Sequence, residues 1–136
     1  MSLLLSGCRF IASQNKKREI LEKKDVLIEG NKIAKIGKGL MGDETIDCSR
    51  SLVMPGLINT HTHIAMSKMR GLADDVVLDE FLSKTYAVDS RMTEKDVYYG
   101  ALLGCLESIK FGTTTFNDLY YFEDQIAKAT VELGMR

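Results

Sequence analysis

From Leu57 onward the sequence alternates strand-like and helix-like segments, and this alternation limits the folds open to it. Leu57-Ile58-Asn59-Thr60-His61-Thr62-His63 has the composition of a short strand. A long irregular stretch follows, with one helical piece near residues 78–84. A clear helix then begins after Thr93, an N-cap residue with Asp96 placed to complete a capping box. Val97, Ala101, Cys105 and Ile109 recur at the spacing of one helix face. Gly112 stops that helix, and Thr113-Thr114-Thr115-Phe116-Asn117 is β-branched enough for a second strand. A last helix is predicted over residues 123–133, with Gly134 as its stop. Strand, helix, strand, helix in this order predicts right-handed βαβ units and a parallel sheet. Gly100 and Gly104 lie one turn apart and predict a close approach of their helix to that sheet. A membrane-helix reading of the same glycines is weaker, because the helix carries Glu94, Lys95, Glu107 and Lys110.

The pattern before Pro55-Gly56, which holds the only proline, is different. Residues 3–12 form an apolar run with polar punctuation. Asp25-Val26-Leu27-Ile28-Glu29 and Lys32-Ile33-Ala34-Lys35-Ile36 flank Gly30-Asn31, a hairpin signal. Gly37, Gly39 and Gly42 break the pattern, and Thr45-Ile46-Asp47-Cys48 offers one more strand. This part is expected to be antiparallel. The boundary divides the chain into 1–54 and 55–136. A two-stranded parallel sheet cannot bury its own faces and edges. Arg136 also falls where a third strand is expected, so the sequence is expected to be part of a longer fold.

Composition excludes several classes. Eighteen basic residues against nineteen acidic ones give a net charge of −1, and the basic runs Lys16-Lys17-Arg18 and Lys23-Lys24 are too short for a nucleic-acid surface. No run approaches the roughly 18 apolar residues that span a membrane. Arg9 interrupts the apolar start too early for a signal peptide. Cys8, Cys48 and Cys105 are odd in number and widely spaced, which fits buried thiols in a reducing cytoplasm better than a disulfide framework.

His61 and His63 are the only histidines, two apart on one predicted strand. Residues i and i+2 of a strand face the same way, so both imidazoles can reach one metal ion. Such a pair also arises by chance in exposed strands. The strand-end position, where parallel α/β folds carry their sites, and the long loop after it favour the metal reading. A hydrolytic zinc-type site needs about three protein ligands and an open position for water. The ion lowers the pKa of that water toward roughly 7 and makes it a nucleophile at neutral pH. Two histidines do not complete such a site. Asp74, Asp75 or Asp118 could add a carboxylate, and sequence beyond Arg136 is the more natural source of further ligands and of a proton shuttle.

Val53-Met54-Pro55-Gly56-Leu57-Ile58-Asn59-Thr60-His61-Thr62-His63 resembles the first-strand signature of the amidohydrolase superfamily, in its atrazine/triazine hydrolase and aminohydrolase branch. Met69-Arg70-Gly71, Asp74, Leu78 and Phe81-Leu82 continue the likeness. Gly112-Thr113-Thr114-Thr115-Phe116-Asn117-Asp118 resembles the second barrel strand. The run is most similar to the 5′-methylthioadenosine/S-adenosylhomocysteine deaminases. The resemblance implies the start of a (β/α)8 TIM-type barrel, about 250 residues when complete. Residues 1–54 would be the N-terminal half of a flanking β-sandwich, and 55–136 the first two βα units. It also implies that His61 and His63 are the first ligands of a divalent metal, zinc or else iron, with no other catalytic residue in this chain. Phe81 stands where the family has a tryptophan. Asp89 stands for a glutamate that meets ribose hydroxyls.

The remaining candidates divide between two explanations. Arg70 either contacts a polar substrate group or pairs with Asp74 or Asp75. Asn117 and Asp118 either face the site or cap the next helix. Met66 and Met69 either line a pocket or fill core space, and the four tyrosines Tyr98, Tyr99, Tyr120 and Tyr121 give no sharp signal. The resemblance implies hydrolytic deamination of an adenosine-type nucleoside or a related heteroaromatic amine. The partners expected are a small-molecule substrate, neither nucleic acid nor membrane, and copies of the chain or the missing part of the fold. Alternatives are a guanine or cytosine deaminase, a triazine chlorohydrolase, and a metal-free barrel acting as an interaction protein.

Overall fold

A computed structural model describes residues Met1 to Arg136. The chain divides into two compact units, Met1–Pro55 and Gly56–Arg136.

The first unit is one sheet built around a long strand, β1 (Ser2–Ala12). The strands β2 (Ile20–Glu29) and β3 (Lys32–Gly37) form the expected hairpin about Gly30-Asn31, where Gly30 takes φ +59°. β2 pairs antiparallel with β1. The expectation of a wholly antiparallel sheet is corrected, because β4 (Glu44–Asp47) and β5 (Leu52–Val53) both run parallel to β1. The cause is the path between β3 and β4. Gly37 lies opposite Asp25, whereas Glu44 lies opposite Leu3, so the chain travels back along the sheet before β4 begins. Asp25 anchors that return. Its buried carboxylate accepts the N–H of Leu40 at 3.1 Å and that of Gly7, in the β1 bulge, at 2.7 Å. These two N–H groups hold the Asp25 carboxyl below the usual carboxylate range. Cys8, Ile11, Val26 and Cys48 form the core, and all three cysteines are free thiols and buried.

The second unit carries β6 (Leu57–Thr62) and β7 (Thr113–Asp118), paired parallel as expected. Gly56 lies against Thr114 so closely that a Cβ there would sit 2.2 Å from its hydroxyl oxygen. Between the strands run a 3₁₀ helix (Ile64–Met69), α1 (Leu78–Asp89) and α2 (Glu94–Lys110). α3 (Glu123–Glu132) follows β7. The 3₁₀ helix was not visible in the sequence pattern, and α1 runs five residues past the expected 84. The Thr93–Asp96 capping box forms as expected. Val97, Ala101 and Cys105 are fully buried, but Ile109 is 42% exposed. No helix is long and apolar enough to cross a membrane.

The role of Gly100 and Gly104 is corrected as well. They face the 3₁₀ helix, not the sheet. A Cβ on Gly100 would lie 2.3 Å from the Ala65 carbonyl oxygen, and one on Gly104 2.5 Å from that of Ile64. Ile64 and Ala65 are thereby sealed into a core with Val97, Ala101, Cys105, Ile126, Ala129 and Met135. Two ion pairs clamp the same segment to α2. Lys68 meets Asp96 at 2.8 Å, and Arg70 forks onto Glu107 at 2.9 and 2.7 Å.

Two outcomes follow for stability. Gly100→Ala should lose about 1–3 kcal/mol in urea unfolding despite alanine's better helix propensity, since the added methyl meets backbone. A gain of about 1 kcal/mol would show that the glycine contact is absent. The Asp96 and Glu107 carboxyls are held low, chiefly by hydrogen bonds from Lys68 and Arg70 respectively. A depressed carboxylate stabilises the fold above its unfolded pKa, and that stability is lost as pH falls through the folded value. Asp96→Asn should therefore flatten the acid limb of a stability–pH curve, and an unchanged limb would refute the clamp.

Candidate metal centre at the strand ends

Parallel pairing brings the C-terminal ends of β6 and β7 side by side, with Thr62 opposite Asp118. His61 is near the end of β6, and His63 lies one residue beyond it, leading into the 3₁₀ helix. The two rings are brought together, their centroids 5.2 Å apart and nearly perpendicular. His61 is exposed and His63 half-buried.

The His63 ring is held in one orientation. Its Nδ1 lies 2.5 Å from the Leu119 carbonyl oxygen, just past the end of β7. A carbonyl only accepts, so the bond assigns the hydrogen to Nδ1 and leaves the Nε2 lone pair free. Metal-binding histidines are typically prepared in this way, by a hydrogen bond that fixes tautomer and ring plane. This is the observation on which a metal would fit here: two adjacent imidazoles, one with its Nε2 fixed in direction and unspent. No group of three His, Cys, Asp or Glu side chains converges, so Asp74, Asp75 and Asp118 do not complete a ligand set within this chain.

Asp118 has a different task from the two expected. α3 begins after Phe122, in a left-handed conformation and without a side-chain cap, so neither Asn117 nor Asp118 caps it. Asp118 Oδ2 instead accepts the Ile64 N–H at 2.7 Å, fixing the backbone directly after His63. Its Oδ1 is buried without a partner, and burial pushes the carboxyl above its ordinary value. Asn117 donates to the Thr60 carbonyl oxygen at 3.3 Å, across the two strands.

A cavity of about 300 Å³ opens beside His63, walled by Met66, Phe81, Asp89, Leu119 and Tyr120 among others. Asp89 is the last residue of α1, and its carboxylate accepts a hydrogen bond from the Tyr120 hydroxyl. The structure thus brings Asp89 to the histidine side of the chain. Arg70 goes elsewhere. Its guanidinium is engaged by Glu107, not by Asp74 or Asp75, and that partner raises its pKa. It borders a larger hollow of about 490 Å³ with Lys68 and Asp96, which neither histidine lines. Tyr120 is the residue sequence reasoning missed. Its partner is 31 positions away, and nothing local to Tyr120 marks that pairing.

Residues 52–136 match the model of the amidohydrolase family, and the chain belongs to that family. The 5′-deoxyadenosine deaminase of Methanocaldococcus jannaschii is 50% identical over 120 residues, which are 85% of this chain and 29% of that protein. The 5-methylthioadenosine/S-adenosylhomocysteine deaminase of Thermoanaerobacter pseudethanolicus is 42% identical over 140 residues, covering 100% of this chain and 32% of that protein. Among solved structures, an adenosine deaminase from Xanthomonas campestris with bound zinc superposes with a TM-score of 0.90 at 27% identity, over 98% of this chain and 32% of that one. The zinc complex of an atrazine chlorohydrolase from Arthrobacter aurescens gives 0.88 at 27% identity, over 98% and 34%. The expected likeness to triazine hydrolases and aminohydrolases is borne out. The chain spans about a third of the length of the curated relatives it matches.

The tautomer assignment is open to measurement. In the neutral form of the ring, nitrogen NMR should find His63 protonated at Nδ1 and unprotonated at Nε2. The opposite tautomer would remove the preparation for metal.

Proposed function

We propose that this chain is the first part of a divalent-metal hydrolase that deaminates an adenosine-type nucleoside. The observation that carries the proposal is the His63 ring, locked by Leu119 with Nε2 free beside His61, at the rim of a cavity that also holds Asp89. His61 and His63 are the residues that would hold the metal, zinc or else iron. Bound there, it supplies Lewis acidity and a water acidic enough to act as nucleophile at neutral pH.

The remaining roles belong to this chain's own side chains. Leu119 keeps the His63 hydrogen on Nδ1. Asp118 and the α2 glycines keep the backbone after His63 in place. Asp89 would take hydrogen bonds from substrate hydroxyls, while Phe81 and Met66 give the cavity apolar walls. Arg70, spent on Glu107, serves as a clamp, and its substrate-binding role recedes. A hydrolytic centre needs about three protein ligands, so at least one more must come from residues outside this set, together with the proton shuttle. The 136-residue chain by itself should therefore be inactive.

The proposed fold is a (β/α)8 barrel whose first two βα units lie in Gly56–Arg136, with Met1–Pro55 in a flanking β-sandwich. β6 has only one neighbour, and Leu57 and Ile58 on it are 50% and 67% exposed. Further strands of a barrel, or another copy of the chain, would cover them. The nucleoside reading draws on the named activities of the two deaminase relatives.

Incubated with 5′-deoxyadenosine, the full-length protein should release ammonia and yield the hypoxanthine nucleoside. His61→Ala or His63→Ala in it should lower kcat/KM by at least about a thousandfold, the scale of losing a principal catalytic group. Full activity in the double variant would overturn the proposal, and so would turnover by the 136-residue chain alone.

A further inference from the structure

Asp89 occupies an awkward place for an anion. It is the last residue of α1, where the helix dipole presents its negative end, and the last turn carries no basic residue to offset it. The only hydrogen-bonding partner of its carboxylate in the chain is Tyr120, which donates to Oδ1, so that Oδ2 is left unengaged. The Tyr120 hydroxyl is in turn enclosed. The thioether sulfurs of Met92 and Met69 lie 3.5 and 3.8 Å from its oxygen. A hydroxyl has one hydrogen, and a carboxylate is a far stronger acceptor than a thioether, so the hydrogen goes to Asp89. Burial, then the bond to Asp89, raises the Tyr120 pKa, which keeps the phenol a donor throughout the working pH range.

From this arrangement we infer that Tyr120 is a positioning residue: it holds one Asp89 oxygen so that the other stands in the cavity beside His63 as a fixed acceptor for substrate hydroxyl groups. The inference rests on the nucleoside reading above and adds a residue to it. An aspartate is shorter than a glutamate and has fewer orientations to lose, and a part-buried tyrosine hydroxyl bonded to one oxygen removes most of those that remain. The tyrosine touches no reacting atom. Its effect should therefore appear in the affinity for ligands that carry hydroxyls and not in ligands that lack them.

Two measurements decide the matter, and the first does not depend on the nucleoside reading. In proton NMR of the protein, the Tyr120 hydroxyl hydrogen, assigned by its loss in Tyr120→Phe, should be protected from solvent exchange. It should lose that protection in Asp89→Ala. A freely exchanging Tyr120 hydroxyl in the unsubstituted protein would overturn the inference whatever the enzyme acts on. In the second, calorimetry on the full-length protein compares adenosine with 2′,3′-dideoxyadenosine. Tyr120→Phe should weaken adenosine binding about tenfold while leaving the dideoxy ligand within about twofold. In an Asp89→Ala background the same substitution should change neither. Equal losses on both ligands would mean that Tyr120 only supports the fold, and would overturn the inference. Failure of the nucleoside reading is separate: it shows as absence of ammonia release by the unsubstituted full-length protein.

Discussion

The contact between the glycines of α2 and the carbonyls of Ile64 and Ala65 is the constraint on which the second unit depends. β6 ends at Thr62, and the chain turns at once into a 3₁₀ helix, a geometry with poorer hydrogen bonds than an α-helix and rarely stable alone. It persists because α2 approaches close enough to bury Ile64 and Ala65, which only residues without a Cβ permit at positions 100 and 104. Asp118 then takes the Ile64 N–H, and two ion pairs hold the far end of the segment. His63 sits between the end of β6 and this immobilised turn. Its ring orientation is therefore a product of packing several residues away. The Leu119 carbonyl completes it.

What was legible in the sequence was what is decided locally. The Thr93–Asp96 capping box, the Gly30-Asn31 hairpin, the glycine stops at 112 and 134 and the βαβ order each depend on residues a few positions apart, and each is present. The closeness of His61 and His63 belongs to the same class, since the two are only two positions apart at the end of β6. The features that escaped are decided by partners distant in sequence. The parallel pairing of β4 and β5 depends on the route that Asp25 fixes through Leu40. The 3₁₀ helix depends on two glycines 35 and 40 positions after the carbonyls they meet, a separation no periodicity announces. Arg70 had acidic neighbours at Asp74 and Asp75, yet the helix face it lies against presents Glu107. Asp118 looked like a cap because it precedes a helix, whereas it satisfies an N–H 54 positions earlier.

Within the second unit the chain separates two kinds of polar work. The clamps at Lys68–Asp96 and Arg70–Glu107 are solvent-facing and serve position, and such pairs contribute little each. The bonds of His63, Asp118 and Tyr120 lie at the strand ends; those of Asp118 and Tyr120 are part-buried, where losing one costs more than losing a surface pair. The unpaired Oδ1 of Asp118 fits this division, being a buried atom of a carboxyl whose pKa burial raises. The likeness to zinc-containing deaminase and chlorohydrolase structures is a likeness of fold over 98% of the chain.

The central claim is that His61 and His63 are metal ligands and that His63 binds through Nε2. X-ray absorption at the zinc edge of the zinc-loaded full-length protein tests it most directly. The account predicts imidazole scattering with nitrogens at roughly 2.0–2.1 Å, diminished by one imidazole in His63→Ala and by two in the double variant. A zinc environment that is unchanged in both variants would contradict the account.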